Sequence, residues 1–164
     1  MITQIYGFSL YNARNMQSEG QGRILAVDWG SKRIGLALSD PTRTLAKALD
    51  PFLHTSRQAD AEEILWAAKE FEATEILMGV TYDDQNALTP SGRSAAKLAE
   101  EIRRFTSVPV KEWDEGGSSK AALLSMLRTG IPKKKRQLPI DSRSAAIFLQ
   151  HYLDAINENA HENC

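Results

Sequence analysis

Cysteine is almost absent from this chain of 164 residues: a single one, Cys164, stands at the very end. An internal disulfide and a multi-cysteine metal site are thereby excluded, which points to a reducing compartment. Long apolar runs are missing as well. No stretch approaches the roughly 18 residues of a membrane-spanning helix, and the start has neither the basic nor the apolar region of a secretory signal. A cytoplasmic protein without a membrane partner is the expectation. Charge of one sign is also lacking, because 20 Lys and Arg stand against 21 Asp and Glu. Any attraction for a polyanion must therefore be local. Internal repeats and low-complexity tracts do not occur. What is present, 42% hydrophobic and 25% charged residues, suits one globular domain long enough to bury a core without staples.

Residues 1–22 hold no helical or strand period for long and finish in a Gly/Ser/Gln stretch, so they read as a flexible extension. Met16, just before the regular part, is a candidate translation start beside Met1. The other reading is that Ile5, Tyr6, Phe8 and Tyr11 pack this segment onto the core. From residue 23 to 157 the pattern is that of one domain. Ile24–Val27 and Ile34–Leu38 are apolar runs separated by a few turn residues, too few for a crossover helix, so they form an antiparallel hairpin. Residues 44–53 supply a third strand. Asp60 and Glu63 fit a D-x-x-E capping box opening a helix over about 59–72, with Trp66 packed in its apolar region. Ile76–Val80 is a strand. Thr89 before Pro90 starts a second helix, on which Leu98, Ile102 and Phe105 share a face. Residues 108–113 form another strand, and Ser118 or Ser119 caps a helix ending at Gly130. Asp141 caps a last helix whose stripe of Ala145, Phe148, Leu149, Tyr152, Leu153 and Ile156 docks on the core. Residues 158–164 read as a frayed tail. The fold class is α/β: a mixed five-stranded sheet, antiparallel in its first three strands, then two parallel strands, flanked by helices.

The residues that carry chemistry are acids at the ends of these elements. Asp28 closes the first apolar strand, where an unpaired carboxylate costs several kcal/mol. Asp114 and Glu115 follow the fifth strand at its C-terminal end, where open sheets place their ligands. Asp141 opens the last helix. Each acid has a plainer reading: Asp28 binding turn amides, Asp114 capping a helix with Glu115 exposed, Asp141 as an ordinary cap. Taken together, acids converging from separate termini repel each other unless a hard divalent cation, Mg²⁺ or Mn²⁺, lies between them. Such a site supports phosphodiester hydrolysis. Between 114 and 143, seven cations, Lys120, Arg128, Lys133, Lys134, Lys135, Arg136 and Arg143, face three acids, the proposed ligands themselves. That basic loop would hold a nucleic-acid backbone, unless it is simply a solvated charge run. Lys32 and Arg33, on the first hairpin's turn, either meet phosphate or face water. His54, His151 and His161 lack metal-ligand spacing, and His151 reads as a core-edge residue.

Four segments resemble the YqgF family, described as Holliday-junction-resolvase-like and ribonuclease H-like. They are DWGSKRIGLALSD at 28–40, ILMGV at 76–80, WDE at 113–115 and DSRSAAIFLQHYLD at 141–154, within a resemblance that spans about 23–156. The resemblance implies a ribonuclease H-like fold and an Mg²⁺-dependent nuclease with Asp28, Glu115 and Asp141 as catalytic acids and Asp114 as a further metal ligand. It implies processing of the small-subunit ribosomal RNA precursor, the 5′ end of 16S rRNA. The other implied substrate is a four-way DNA junction in recombination and repair, and a non-catalytic nucleic-acid-binding module is a further reading. Partners would be RNA or branched DNA, and the protein a monomer or homodimer. Where the family usually has a basic and an apolar residue after its D-E pair, Gly116 and Gly117 stand here. Its G-L-P-L-N-like loop appears as Gly79-Val80-Thr81-Tyr82-Asp83. A phosphotransferase of the actin and sugar-kinase type shares the D-x-G start, but needs a second domain that 164 residues do not supply.

Overall fold

A computed structural model describes residues 22–115 and 140–162, with side chains of the second segment from Arg143 onward. The expectations for residues 1–21, for the helix after Ser118, for the loop bearing Lys133, Lys134, Lys135 and Arg136, and for the side chain of Asp141 lie outside the described residues.

Strands β1 (Arg23–Asp28), β2 (Arg33–Ser39), β3 (Ala46–Leu53), β4 (Ala73–Val80) and β5 (Val110–Asp114) form one sheet in the order β3-β2-β1-β4-β5. The pairs β1–β2 and β2–β3 are antiparallel, and β1–β4 and β4–β5 are parallel. This is the mixed five-stranded sheet expected from the sequence, antiparallel in its first three strands and parallel in the last two pairings. Helices α1 (Arg57–Glu70) and α2 (Pro90–Arg103) make the crossovers, and α3 (Ile140–Glu162) packs on the opposite face.

Side-chain alternation along β1 sets which residues face which helix. Leu25 and Val27 join Ile34, Ile64, Ile76, Met78, Leu98 and Ile102 between the sheet and α1/α2. Ile24 and Ala26 join Leu77, Phe148, Leu149 and Leu153 beneath α3. Both faces are covered, and this is why β1 and β4 read as unbroken apolar runs rather than alternating ones. Each fully buried Ile or Leu contributes about 1.5–3 kcal/mol relative to exposure.

Local details correct several expectations. The cap of α1 is Ser56, whose hydroxyl accepts from the Ala59 N–H, so the Asp60/Glu63 box is not used. Asp60 instead turns inward. Trp66 lies 61% exposed on the outer side of α1, and Phe105 lies beyond the end of α2, 66% exposed. Thr89 does cap α2, accepting from the Gly92 N–H, with Pro90 at the first helical position. The last helix begins at Ile140, which puts Asp141 within the first turn rather than at the cap. It also continues through Glu162, into the stretch 158–164 that is expected to fray. Asn157 Nδ2 donates to the Arg43 carbonyl at 3.0 Å and so anchors α3 beyond its apolar stripe. Buried Glu75 on β4 accepts from Arg43 Nη1 and Tyr152 OH and pairs with Lys111 Nζ, tying α3 to the sheet from below. Among the described residues no helix is long and apolar enough to cross a membrane.

Candidate active site

The parity that sorts the core also sorts the acids. On β1, Asp28 follows Ile24 and Ala26 onto the α3 face, while Trp29 packs on the α1/α2 side. On β4, Gly79 shares the α3 side with Leu77. On β5, Trp113 packs beneath α3 and stacks edge-on against Tyr152 at 5.0 Å. One residue past β5 the ladder persists, because the Glu115 N–H donates to the Val80 carbonyl at 2.8 Å. Glu115 therefore keeps the parity of Trp113 and turns toward Asp28, whereas Asp114 points to the other face.

Glu115 is 7% exposed, and its side chain is hydrogen-bonded to Asp28. Two carboxylates share such a bond only when one carries a proton. Burial pushes the Glu115 carboxyl up to about 9, with the Asp28 charge adding to it and the Asp114 charge contributing less. Its Oε1 is buried without a hydrogen-bond partner among the described residues, a condition that native interiors seldom tolerate without a ligand or ion to satisfy it.

Room for this carboxylate comes from Gly79. A Cβ at position 79 would overlap Oε1, Cδ and Cγ of Glu115. The clash is with the far end of a flexible side chain, so Gly79→Ala is expected to fold with little change in melting temperature while displacing the carboxylate. Displacements of about 1 Å can cost 10²-fold in rate, and a loss of that order in cleavage, measured beside the melting curve, checks it. An unchanged rate would show that the carboxylate's position does not matter. Gly79 was not legible as a site residue, since a glycine in an apolar strand does not announce what lies across from it.

The remaining candidates are spread around this pair. Lys32 on the β1–β2 turn and Arg33 at the start of β2 are exposed, at the same end of the sheet as Asp28. Arg143 is half-buried near the start of α3. Among the described residues no group of three His, Cys, Asp or Glu side chains forms a cation-holding cluster. The structure thus brings together Asp28 and Glu115, with Asp114 close enough to repel and Asp141 placed by its backbone at the beginning of α3. The all-oxygen donor set and the orphaned Oε1 fit a hard divalent cation.

Residues 22–155 match the family model described as "RuvX: Holliday junction resolvase". The chain belongs to this family. Relatives from Halalkalibacterium halodurans and Clostridium beijerinckii, each named "Putative pre-16S rRNA nuclease", are 34% and 35% identical. The first match covers 80% of this chain and 96% of the relative, the second 82% and 98%. The solved T. thermophilus RuvC in complex with a Holliday junction substrate covers 82% of this chain and 94% of its own at 19% identity and a TM-score of 0.48, so the family assignment rests on the sequence relatives.

Proposed function

We propose that this RuvX-family chain is a divalent-cation-dependent nuclease that hydrolyses phosphodiester bonds in the 5′ precursor of 16S rRNA, in the cytoplasm, as a monomer or homodimer. The observation that carries the reading is the Asp28–Glu115 pair with its buried Oε1, unpartnered among the described residues. Asp28 and Glu115 would hold Mg²⁺ or Mn²⁺, with Asp141 as a third oxygen ligand and Asp114 adding negative charge. A bound cation supplies Lewis acidity toward the phosphodiester and the attacking water. In the reaction a water oxygen bonds to phosphorus and one ester P–O bond breaks; the leaving oxygen keeps that electron pair and takes up a proton to become a hydroxyl, the attacking water having given up a proton to solvent. The chain's own contribution is to hold the acids rigidly at the end of a sheet buried on both faces, and to present cations to the backbone. Lys32, Arg33 and Arg143 are the described cations for that role, and Lys133, Lys134, Lys135 and Arg136 extend it along the polymer.

The relatives' name favours the RNA substrate, and the family's description favours a second reading, resolution of four-way DNA junctions. Incubating the protein and Mg²⁺ with a 5′-extended 16S rRNA fragment and, separately, with a four-way DNA junction distinguishes them. Cleavage of the RNA alone, lost with Asp28→Asn, is the expected result. Cleavage of the junction alone selects the second reading, and salt-dependent binding without turnover selects a non-catalytic binding module.

A further inference from the structure

His54 and Asp60 form a second polar centre at the same end of the sheet, one that the acid pair does not use. Asp60 is 1% exposed, on the first turn of α1. One of its oxygens faces His54 Nδ1 at 2.5 Å and the other accepts from the Thr55 N–H at 3.2 Å. The His54 backbone N–H donates to the Lys32 carbonyl at 3.0 Å, and its ring meets Trp29 edge-on at 5.7 Å. The ring is therefore held by a buried carboxylate and an aromatic wall, while its backbone is tied to the β1–β2 turn. With Nδ1 committed to Asp60, Nε2 is the ring atom left for a ligand, and the side chain is 27% exposed.

What lies around that exposed edge suggests the ligand. Lys32 on that turn and Arg33 at the start of β2 stand exposed, next to the strand end that carries Asp28. Asp28 lies on the α3 side of the sheet and His54 on the α1 side, with the turn between them. A nucleic-acid strand leaving the acid pair over this end of the sheet would cross Lys32 and Arg33 and arrive at His54. We propose that His54, oriented by Asp60, is a contact for a backbone phosphate of the substrate outside the cleavage site, extending the Lys32/Arg33 surface by one position. Nε2–H donates to a phosphate oxygen in this arrangement. Nδ1 then donates to Asp60 and Nε2 to the phosphate, so the ring bridges two oxygen acceptors. Asp60 is a positioning residue. It touches the substrate only through His54.

The proposal rests on the nuclease reading, and a binding measurement without metal separates the two. Affinity for a single-stranded RNA oligonucleotide of the 5′ precursor sequence would be measured in EDTA at pH 6.5 across 50–300 mM salt. Lys32→Ala would serve as the reference for removal of a surface cation from the phosphate backbone. Taking away one cation–phosphate pairing with a single strand lowers the slope of log K against log salt by about 0.7. His54→Gln is expected to lower the slope by that amount and to weaken binding roughly 5- to 10-fold at the lowest salt. His54→Lys should restore the slope, and Asp60→Asn should weaken binding with His54 still present. A purely structural His54–Asp60 pair would shift melting temperature without moving the slope. If folded His54→Gln binds as wild type while Lys32→Ala does not, this inference falls and the nuclease reading stands. If wild type shows no salt-dependent RNA binding, both fall.

Discussion

Glu115→Gln and Asp28→Asn are each expected to lower Mg²⁺-dependent cleavage by at least about 10²–10³-fold, the scale seen when preorganised electrostatic groups at a reacting centre are removed. Binding of uncleaved RNA in EDTA should stay at wild-type strength for Glu115→Gln, which replaces a carboxyl that already holds its proton, and should stay or tighten for Asp28→Asn, which deletes a negative charge from a site that faces a polyanion. Asp114→Asn supplies the contrast. Asp114 sits on the opposite parity of β5 and reaches Glu115 only through its charge, so its loss should cost less than about 10-fold. Single-turnover rates for the three variants, read against their RNA affinities, provide the check. Wild-type cleavage by Glu115→Gln would remove the acid pair from the chemistry, and a larger loss from Asp114→Asn than from Glu115→Gln would reverse the assignment within the D-E pair.

The sheet could be read from the chain because both its faces are covered. Residues 24–27 and 76–80 are apolar regardless of parity, and the short turn between β1 and β2 leaves no room for a crossover. The Thr89-Pro90 start was equally legible, because hydroxyl cap and proline both act within one turn. Side-chain direction was harder. Trp66 is apolar by type, yet a helix with a narrow buried stripe leaves such a residue outside, and Phe105 falls beyond the end of α2, where the stripe has stopped; residue type alone says neither. The D-x-x-E pattern at Asp60 misled for a related reason: a local motif competes with a tertiary partner, and Asp60 bonds His54 and the Thr55 amide while Ser56 takes the cap. The convergence of Asp28 with Glu115 follows once strand order and parity are known, since it needs only β1 and β5 on either side of β4. The cradle at Gly79 and the anchoring of His54 depend on atoms far apart in the chain. No periodicity encodes them.

Stability should depend on pH and on divalent cation in a linked way that tests the same pair without any substrate. The folded protein holds the Glu115 carboxyl at about 9 against an ordinary value of 4.5. Between these values the folded state keeps a proton that the unfolded state has released, so in EDTA the Glu115 contribution is fully favourable below about 4.5 and is lost progressively as pH rises toward 9. Glu115→Gln carries no such proton. It keeps the shape of the side chain and offers an amide to Asp28. At pH 8 in EDTA this variant is expected to be more stable than wild type by several kcal/mol, because wild-type folding must keep on Glu115 a proton that the unfolded chain releases near 4.5, and the difference should shrink toward zero near pH 4.5. Added Mg²⁺ should raise the wild-type melting temperature in a concentration-dependent manner, because an ion that binds only the folded state stabilises it by mass action, and the gain should grow with pH as the competing proton becomes easier to displace. Glu115→Gln should gain little from the ion. Calorimetric or fluorescence melts of both proteins at pH 5, 6.5 and 8, with and without Mg²⁺, give the required grid. Parallel wild-type and variant curves across it would mean that Glu115 neither holds that proton nor exchanges it for a cation.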